Sequence, residues 1–150
     1  PLGRAQEGCA PFQANSTPKW RAPPAGAVDI VAAMTVFLVG LAGFAGVIAR
    51  YAISTPFHGD ALPWATVAIN VAGSFLLGVL VASHTFSEDV RTVLGVGFLG
   101  GFTTFSTFTV QAFLDVEAGE PMKALAYVAA SLAFGLAAAA AGYYLGRAAL

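Results

Sequence analysis

The stretch Gly97-Phe98-Leu99-Gly100-Gly101-Phe102-Thr103-Thr104-Phe105-Ser106-Thr107-Phe108-Thr109 decides how this chain folds. It lies inside an uncharged run from Thr92 to Leu114, long enough to cross a bilayer. Yet residues 103–109 are four threonines, one serine and two phenylalanines. A helix that only had to dissolve in lipid would carry leucine and valine there. Paired glycines ahead of a hydroxyl run predict a helix broken at Gly100–Thr103. Its freed backbone and side-chain polar groups would face protein, water or an ion.

The rest of the chain has the same membrane character. Of 150 residues, 57% are apolar and 10% charged, against roughly 25% charged in soluble domains. The charges fall in clumps and leave four uncharged windows: Ile30–Ala49, Ala61–Ser87, Thr92–Leu114 and Ala124–Gly146. Each reaches the ~20 residues that a helix needs to span the hydrocarbon. The expected fold is an all-α membrane protein with four transmembrane helices. A soluble four-helix bundle would need polar outer faces, which these windows lack. The net charge of −1 comes with no basic stripe and implies no nucleic-acid partner. Cys9 is the only cysteine, which excludes an intrachain disulfide and a cysteine-based metal site.

Residues 1–27 differ in kind, with five prolines, scattered charge and little periodicity. Residues 1–33 are expected to form a disordered N-terminal extension ahead of a four-helix unit at 34–150. Met34 could itself open a complete membrane protein, so the upstream part is given no functional weight.

The first helix is expected from Ile30 to Ala52, with Arg50 near its end. Gly40, Gly43 and Gly46 along it suit close helix packing. The second, from Trp64 to Ser83, carries Asn70 in mid-span. The third holds the hydroxyl run, and an acidic turn at 115–123 follows. The fourth carries Tyr127 and Ser131 four residues apart, then the small-residue pair Gly142 and Gly146. From Met34 onward, one membrane side has Arg91 and Arg147 and the other has Arg50 and Lys123. Such a balance gives almost no orientation bias, so the chain could insert both ways.

Several side chains could carry chemistry. Asn70 has amide donors and an acceptor that hydrocarbon cannot satisfy. It either makes an interhelical hydrogen bond or donates to a permeating anion. Phe105 and Phe108 share a helix face, which ordinarily means packing or lipid contact. They are interleaved with Thr104, Ser106 and Thr107, however, and the edge of an aromatic ring is positive. Ring edges and hydroxyls together could coordinate a small anion. Arg50 either snorkels to the interface or supplies an anion-attracting vestibule charge. No Asp, Glu, Lys or His lies in mid-span, which argues against a proton-coupled pump. No phosphate loop or nucleophile–base constellation is present, so no enzyme is expected. His58 and His84 are loop residues.

These residues resemble the Fluc (CrcB) family of fluoride channels from about Met34 onward. The resemblance rests on Gly43-Phe-Ala-Gly46-Val-Ile-Ala-Arg50-Tyr51, on Asn70-Val-Ala-Gly73-Ser-Phe75, and above all on the Gly97–Phe108 stretch. It implies an antiparallel, dual-topology homodimer of four-helix subunits in the cell membrane, with passive fluoride export that relieves fluoride toxicity. It also implies a fluoride pore at Asn70, Phe105 and Phe108 with Thr104, Ser106 and Thr107. Tyr127 and Ser131 begin the family's polar track, while Gly135 departs from members with a hydroxyl there. A structural Na+ would rest on the backbone carbonyls of Gly100 and Thr103. Two rivals remain. A small multidrug-type transporter would need a carboxylate in the first helix, and none lies between Ile30 and Arg50. A non-transporting assembly subunit leaves the hydroxyl and phenylalanine run unexplained.

Overall fold

The computed structural model describes residues 30–57 and 62–149. Every regular element in them is helical. Helix α1 covers Ile30–Ser54 and α2 covers Leu62–Ala82. A short α3, Glu88–Thr92, runs directly into a π-helical segment, Val93–Leu99, and then into α4, Gly100–Phe102. Helix α5 covers Phe105–Glu117 and α6 covers Pro121–Ala149. The segments from α3 to α5 form one apolar span, so the chain has four spans of 25, 20, 30 and 28 residues. Each meets the ~20 residues required to cross a bilayer. The expectation of an all-α, multi-pass membrane protein is met. Residues 1–29, which make up most of the expected extension, lie outside the described residues, as does His58. Residues 30–33 are the first turn of α1.

Between α4 and α5 the backbone is extended, at Thr103 (φ −80°, ψ 160°) and Thr104 (φ −148°, ψ 121°). Gly100 is still helical (φ −63°, ψ −37°), so the helix leaves its path just beyond the glycines. Gly101 serves packing, while a Cβ on Gly100 would meet only the Gly95 carbonyl at an ordinary 3.7 Å. A Cβ on Gly101 would run into the carbonyl of Gly43, and one on Gly46 into the carbonyl of Phe98. Helix α1 therefore lies almost backbone to backbone against the π-segment and α4, the kind of approach that small residues allow in lipid. Gly40 has nothing within 4 Å of its would-be Cβ, so only part of the expected glycine stripe packs inside the chain. The most extensive helix contact is α2 on α6. There Gly142 meets the Phe75 carbonyl and Gly146 meets Val79.

The α5–α6 turn is held by its own backbone. Gly119 has φ 79°, a region that favours glycine. Its N–H donates to Val116 O at 3.0 Å, and Glu120 N–H donates to Asp115 O at 2.9 Å. This is the paired closure of a Schellman cap. Pro121 then opens α6 at a position where its missing N–H costs nothing. The turn fixes the register of α6 on α5. Inside, Val67, Phe108 and Tyr127 form a small buried cluster. Outside, large apolar side chains such as Val36, Phe44 and Leu136 are exposed, as suits lipid or another subunit.

Candidate functional site

The extended pair Thr103–Thr104 leaves backbone groups that a continuous helix would have paired. Asn70 on α2 supplies the bond missing at Thr104 N–H and adds a second at Thr104 O. Its Nδ2 donates to Thr104 O at 3.0 Å, and its Oδ1 accepts from Thr104 N–H at 2.8 Å. This pairing allows only one orientation of the amide. The interhelical hydrogen bond considered for Asn70 is therefore present, and the amide still has one Nδ2 hydrogen beyond it. The Thr104 side chain caps α5, its Oγ1 accepting from Thr107 N–H at 3.3 Å and donating to Thr107 Oγ1 at 3.0 Å. Ser106 Oγ lies 3.5 Å from the same hydroxyl.

These bonds have a consequence for the carbonyls upstream. In an unbroken helix, Thr104 N–H would bond Gly100 O and Thr107 N–H would bond Thr103 O. Both donors are instead engaged elsewhere. The carbonyls of Gly100 and Thr103 thus lose their helical partners. Gly101 O has a replacement, because Arg50 Nε donates to it at 3.2 Å. Leu99 O keeps Thr103 N–H and also takes Thr103 Oγ1–H, each at 3.0 Å. Arg50, read from sequence as an interfacial or vestibule charge, is thus bonded to the backbone beside the extended pair.

The aromatic side chains form a line. The rings of Phe105 and Phe108 lie 5.8 Å apart at 43°, and those of Phe108 and Tyr127 lie 5.2 Å apart at 49°. Phe105 is 76% exposed, whereas Phe108 is 8% and Tyr127 2% exposed. The line therefore runs from the open face of the chain into its core. Two clefts flank its outer end. One, of about 280 Å³, is lined by Asn70, Gly100, Thr103, Thr104 and Phe105 among others. The second, of about 310 Å³, is lined by Asn70, Phe105, Phe108 and Ser131 among others. Asn70 and Phe105 border both. Ser131 Oγ donates to its own helix at Tyr127 O, 2.8 Å away.

The polar residues of this region not singled out from sequence include Ser74, which lines both clefts, Gln111 and Thr66. Gln111 Oε1 accepts from Tyr127 Oη–H at 2.9 Å, while its Nε2 is buried without a hydrogen-bond partner among the described residues. Thr66 on α2 is buried and pairs with the Tyr127 side chain. The available signal was spacing: Gln111 follows Phe108 by three residues, and Thr66 precedes Asn70 by four, so each shares a helix face with a chosen residue. Among the described residues, no group of three His, Cys, Asp or Glu side chains could hold a metal.

Comparison with known proteins follows the same residues. Positions 37–143 match the model of the family described as CrcB-like protein, Camphor Resistance (CrcB). A protein of Chlorobaculum tepidum named fluoride-specific ion channel FluC is 44% identical over 118 residues, covering 75% of this chain and 94% of its own. Proteins of the same name from Geobacter sulfurreducens (38% over 120 residues, 75% and 97% covered) and, as FluC 1, from Symbiobacterium thermophilum (40% over 121 residues, 75% and 98% covered) are similar throughout. The matched span takes in Asn70, the extended pair, both phenylalanines and the polar face of α6, and by it this chain belongs to the CrcB family.

Proposed function

We propose that this protein is a passive fluoride-selective channel that releases fluoride across the cell membrane and so relieves fluoride toxicity. The observation that carries the reading is the line Asn70–Phe105–Phe108–Tyr127. It combines amide, hydroxyl and ring-edge donors, with no Asp, Glu, Lys or His in mid-span. Relatives named as fluoride-specific channels support it.

A fluoride ion entering the span must exchange its water for protein donors. In this proposal the spare Nδ2 hydrogen of Asn70 and the edges of Phe105 and Phe108 supply the first of these. The hydroxyls of Thr104, Ser106 and Thr107 line the approach, and Tyr127 with Ser131 continues it. Ring edges and neutral donors stabilise an anion without binding it so tightly that it cannot leave. Without a mid-span acid or base, nothing couples the movement to protons. The membrane potential, negative inside, then drives the anion outward. No catalytic step is involved.

The working unit is proposed to be an antiparallel homodimer, because the balanced charges permit both orientations and the open face at Phe105 calls for a covering partner. The proposed break in the third helix gives a place for a structural Na+. Gly100 and Thr103 carbonyls, deprived of helical donors, are hard oxygen ligands suited to such a cation. Two such carbonyls per subunit would be joined by two from the partner. The ion would supply a fixed positive charge near the anion path.

The test is flux from liposomes containing the purified protein, followed with a fluoride electrode and compared with chloride. Fluoride release far faster than chloride release is expected. Absence of fluoride release, or equal rates for both anions, would overturn the proposal. A multidrug-type transporter is disfavoured by the lack of a carboxylate between Ile30 and Arg50, and a purely structural subunit by the hydroxyl–phenylalanine run.

A further inference from the structure

Paired side chains continue past the last ring, Tyr127. On α5, Phe108, Gln111 and Asp115 fall on one face, since residues three, four and seven apart align along a helix. On α6, Ser131, Tyr127 and Lys123 recur every four residues and form the facing stripe. The stripes meet in rungs: Phe108 with Tyr127, then Gln111 with Tyr127, then Asp115 with Lys123, whose Nζ lies 3.2 Å from Asp115 Oδ1. The Gly119 turn holds that last rung in register, because Glu120 N–H is bonded to the Asp115 carbonyl itself.

Asp115 is an awkward residue to find there. Its side chain is only 13% exposed, and its Oδ2 is buried with no hydrogen-bond partner among the described residues. A half-desolvated carboxylate one turn beyond Gln111 would repel any anion moving along the rungs, and the repulsion is stronger away from bulk water. Lys123 faces it directly. The same ammonium also reaches Glu120 Oε2 at 2.9 Å, but that carboxylate is 53% exposed, where water and salt screen it.

We propose that Lys123 keeps this end of the path open to an anion by cancelling the charge of Asp115. The inference rests on the fluoride-channel reading and extends it to a residue pair outside the aromatic line. Lys123 acts here through Asp115 and not as a binding site for the anion. Removing the lysine should therefore block flux only while the aspartate remains charged.

The experiment uses the full chain in liposomes, with fluoride release measured for the wild type, Lys123→Gln, Asp115→Asn and the double variant. Lys123→Gln should slow release about tenfold or more, while Asp115→Asn should stay within about threefold of the wild type. The double variant should recover most of the loss. Wild-type release with no loss in Lys123→Gln, or a double variant as slow as Lys123→Gln, overturns this inference and leaves the channel reading intact. A wild type that releases no fluoride overturns the channel reading and this inference with it. Should Lys123→Gln fold poorly, the charge can be changed after folding. With Cys9, the only cysteine, replaced by serine, Lys123→Cys is reconstituted and treated with cationic or anionic methanethiosulfonate. The cationic reagent should restore flux and the anionic one should not; equal responses to both overturn the inference.

Discussion

The first and third spans are both rich in glycine, yet their backbones differ. Helix α1 carries Gly40, Gly43 and Gly46 and stays helical for 25 residues. The third span carries Gly95, Gly97, Gly100 and Gly101 and also stays helical through all of them. It becomes extended only at Thr103 and Thr104. Glycine thus permits close approach in both spans and dictates the extended pair in neither. What distinguishes the third span is a set of replacement bonds. Asn70 takes both backbone groups of Thr104, the Thr104 hydroxyl caps α5, and Arg50 takes Gly101 O. In lipid, a backbone can leave the helix only where such partners wait for it.

The largest effect should come from disturbing the approach that the two spans share. Gly46→Val forces a side chain into the Phe98 carbonyl and should cost about 3 kcal/mol or more, the upper end of overpacking penalties. Gly40→Val, with open space around it in this chain, should stay within about 0.5 kcal/mol of the wild type. Thermal unfolding in detergent measures both. Equal losses would show that glycine serves the two positions alike.

Asn70 separates the stability of the extended pair from its use. Asn70→Ala leaves Thr104 N–H without its partner and should cost about 1–3 kcal/mol, from one partly buried unsatisfied donor. Asn70→Asp can take up a proton in this setting and keep part of the pairing, so it should unfold at a higher temperature than Asn70→Ala. Fluoride flux should rank the other way, with Asn70→Asp the slower, because a carboxylate repels the anion or gives up amide donors. Flux and unfolding temperature that rank the variants identically would return Asn70 to a purely structural role.

A smaller effect is expected at the rings. Phe105→Ile and Phe108→Ile keep most of the bulk and lose the positive edge. Each should cut flux about fivefold, in line with the ~1 kcal/mol typical of ring interactions, while size-exclusion chromatography shows an unchanged assembly. Full flux in both variants would mean that the rings only pack. The smallest change should follow Arg50→Lys. The charge is kept but the planar Nε donor to Gly101 O is lost, for about 1 kcal/mol of stability. No change in unfolding temperature would mean that the hydrogen bond contributes nothing.

Much of this was legible without coordinates. Four uncharged windows of sufficient length require four spanning helices, because lipid allows few alternatives for an unpaired backbone. The hydroxyl run marked the unusual part of the third span, and i, i+3 spacing placed Phe105 and Phe108 on one face. The fine placement was not legible. The expected departure covered Gly100–Thr103, whereas Gly100–Phe102 are helical and the extended residues are Thr103 and Thr104. From sequence, Asp115 and Lys123 read as the two ends of an acidic turn, and Gln111 is not singled out.

The sequence by itself determined that the chain is helical, membrane-spanning and polar at one point in its third span, because hydropathy and helical period are local properties. Only the tertiary structure decided which partners complete that point. Asn70 lies 34 residues from Thr104, and Arg50 lies 51 from Gly101. Across such separations a hydrogen bond depends on how helices pack, and no local pattern encodes which amide meets which carbonyl.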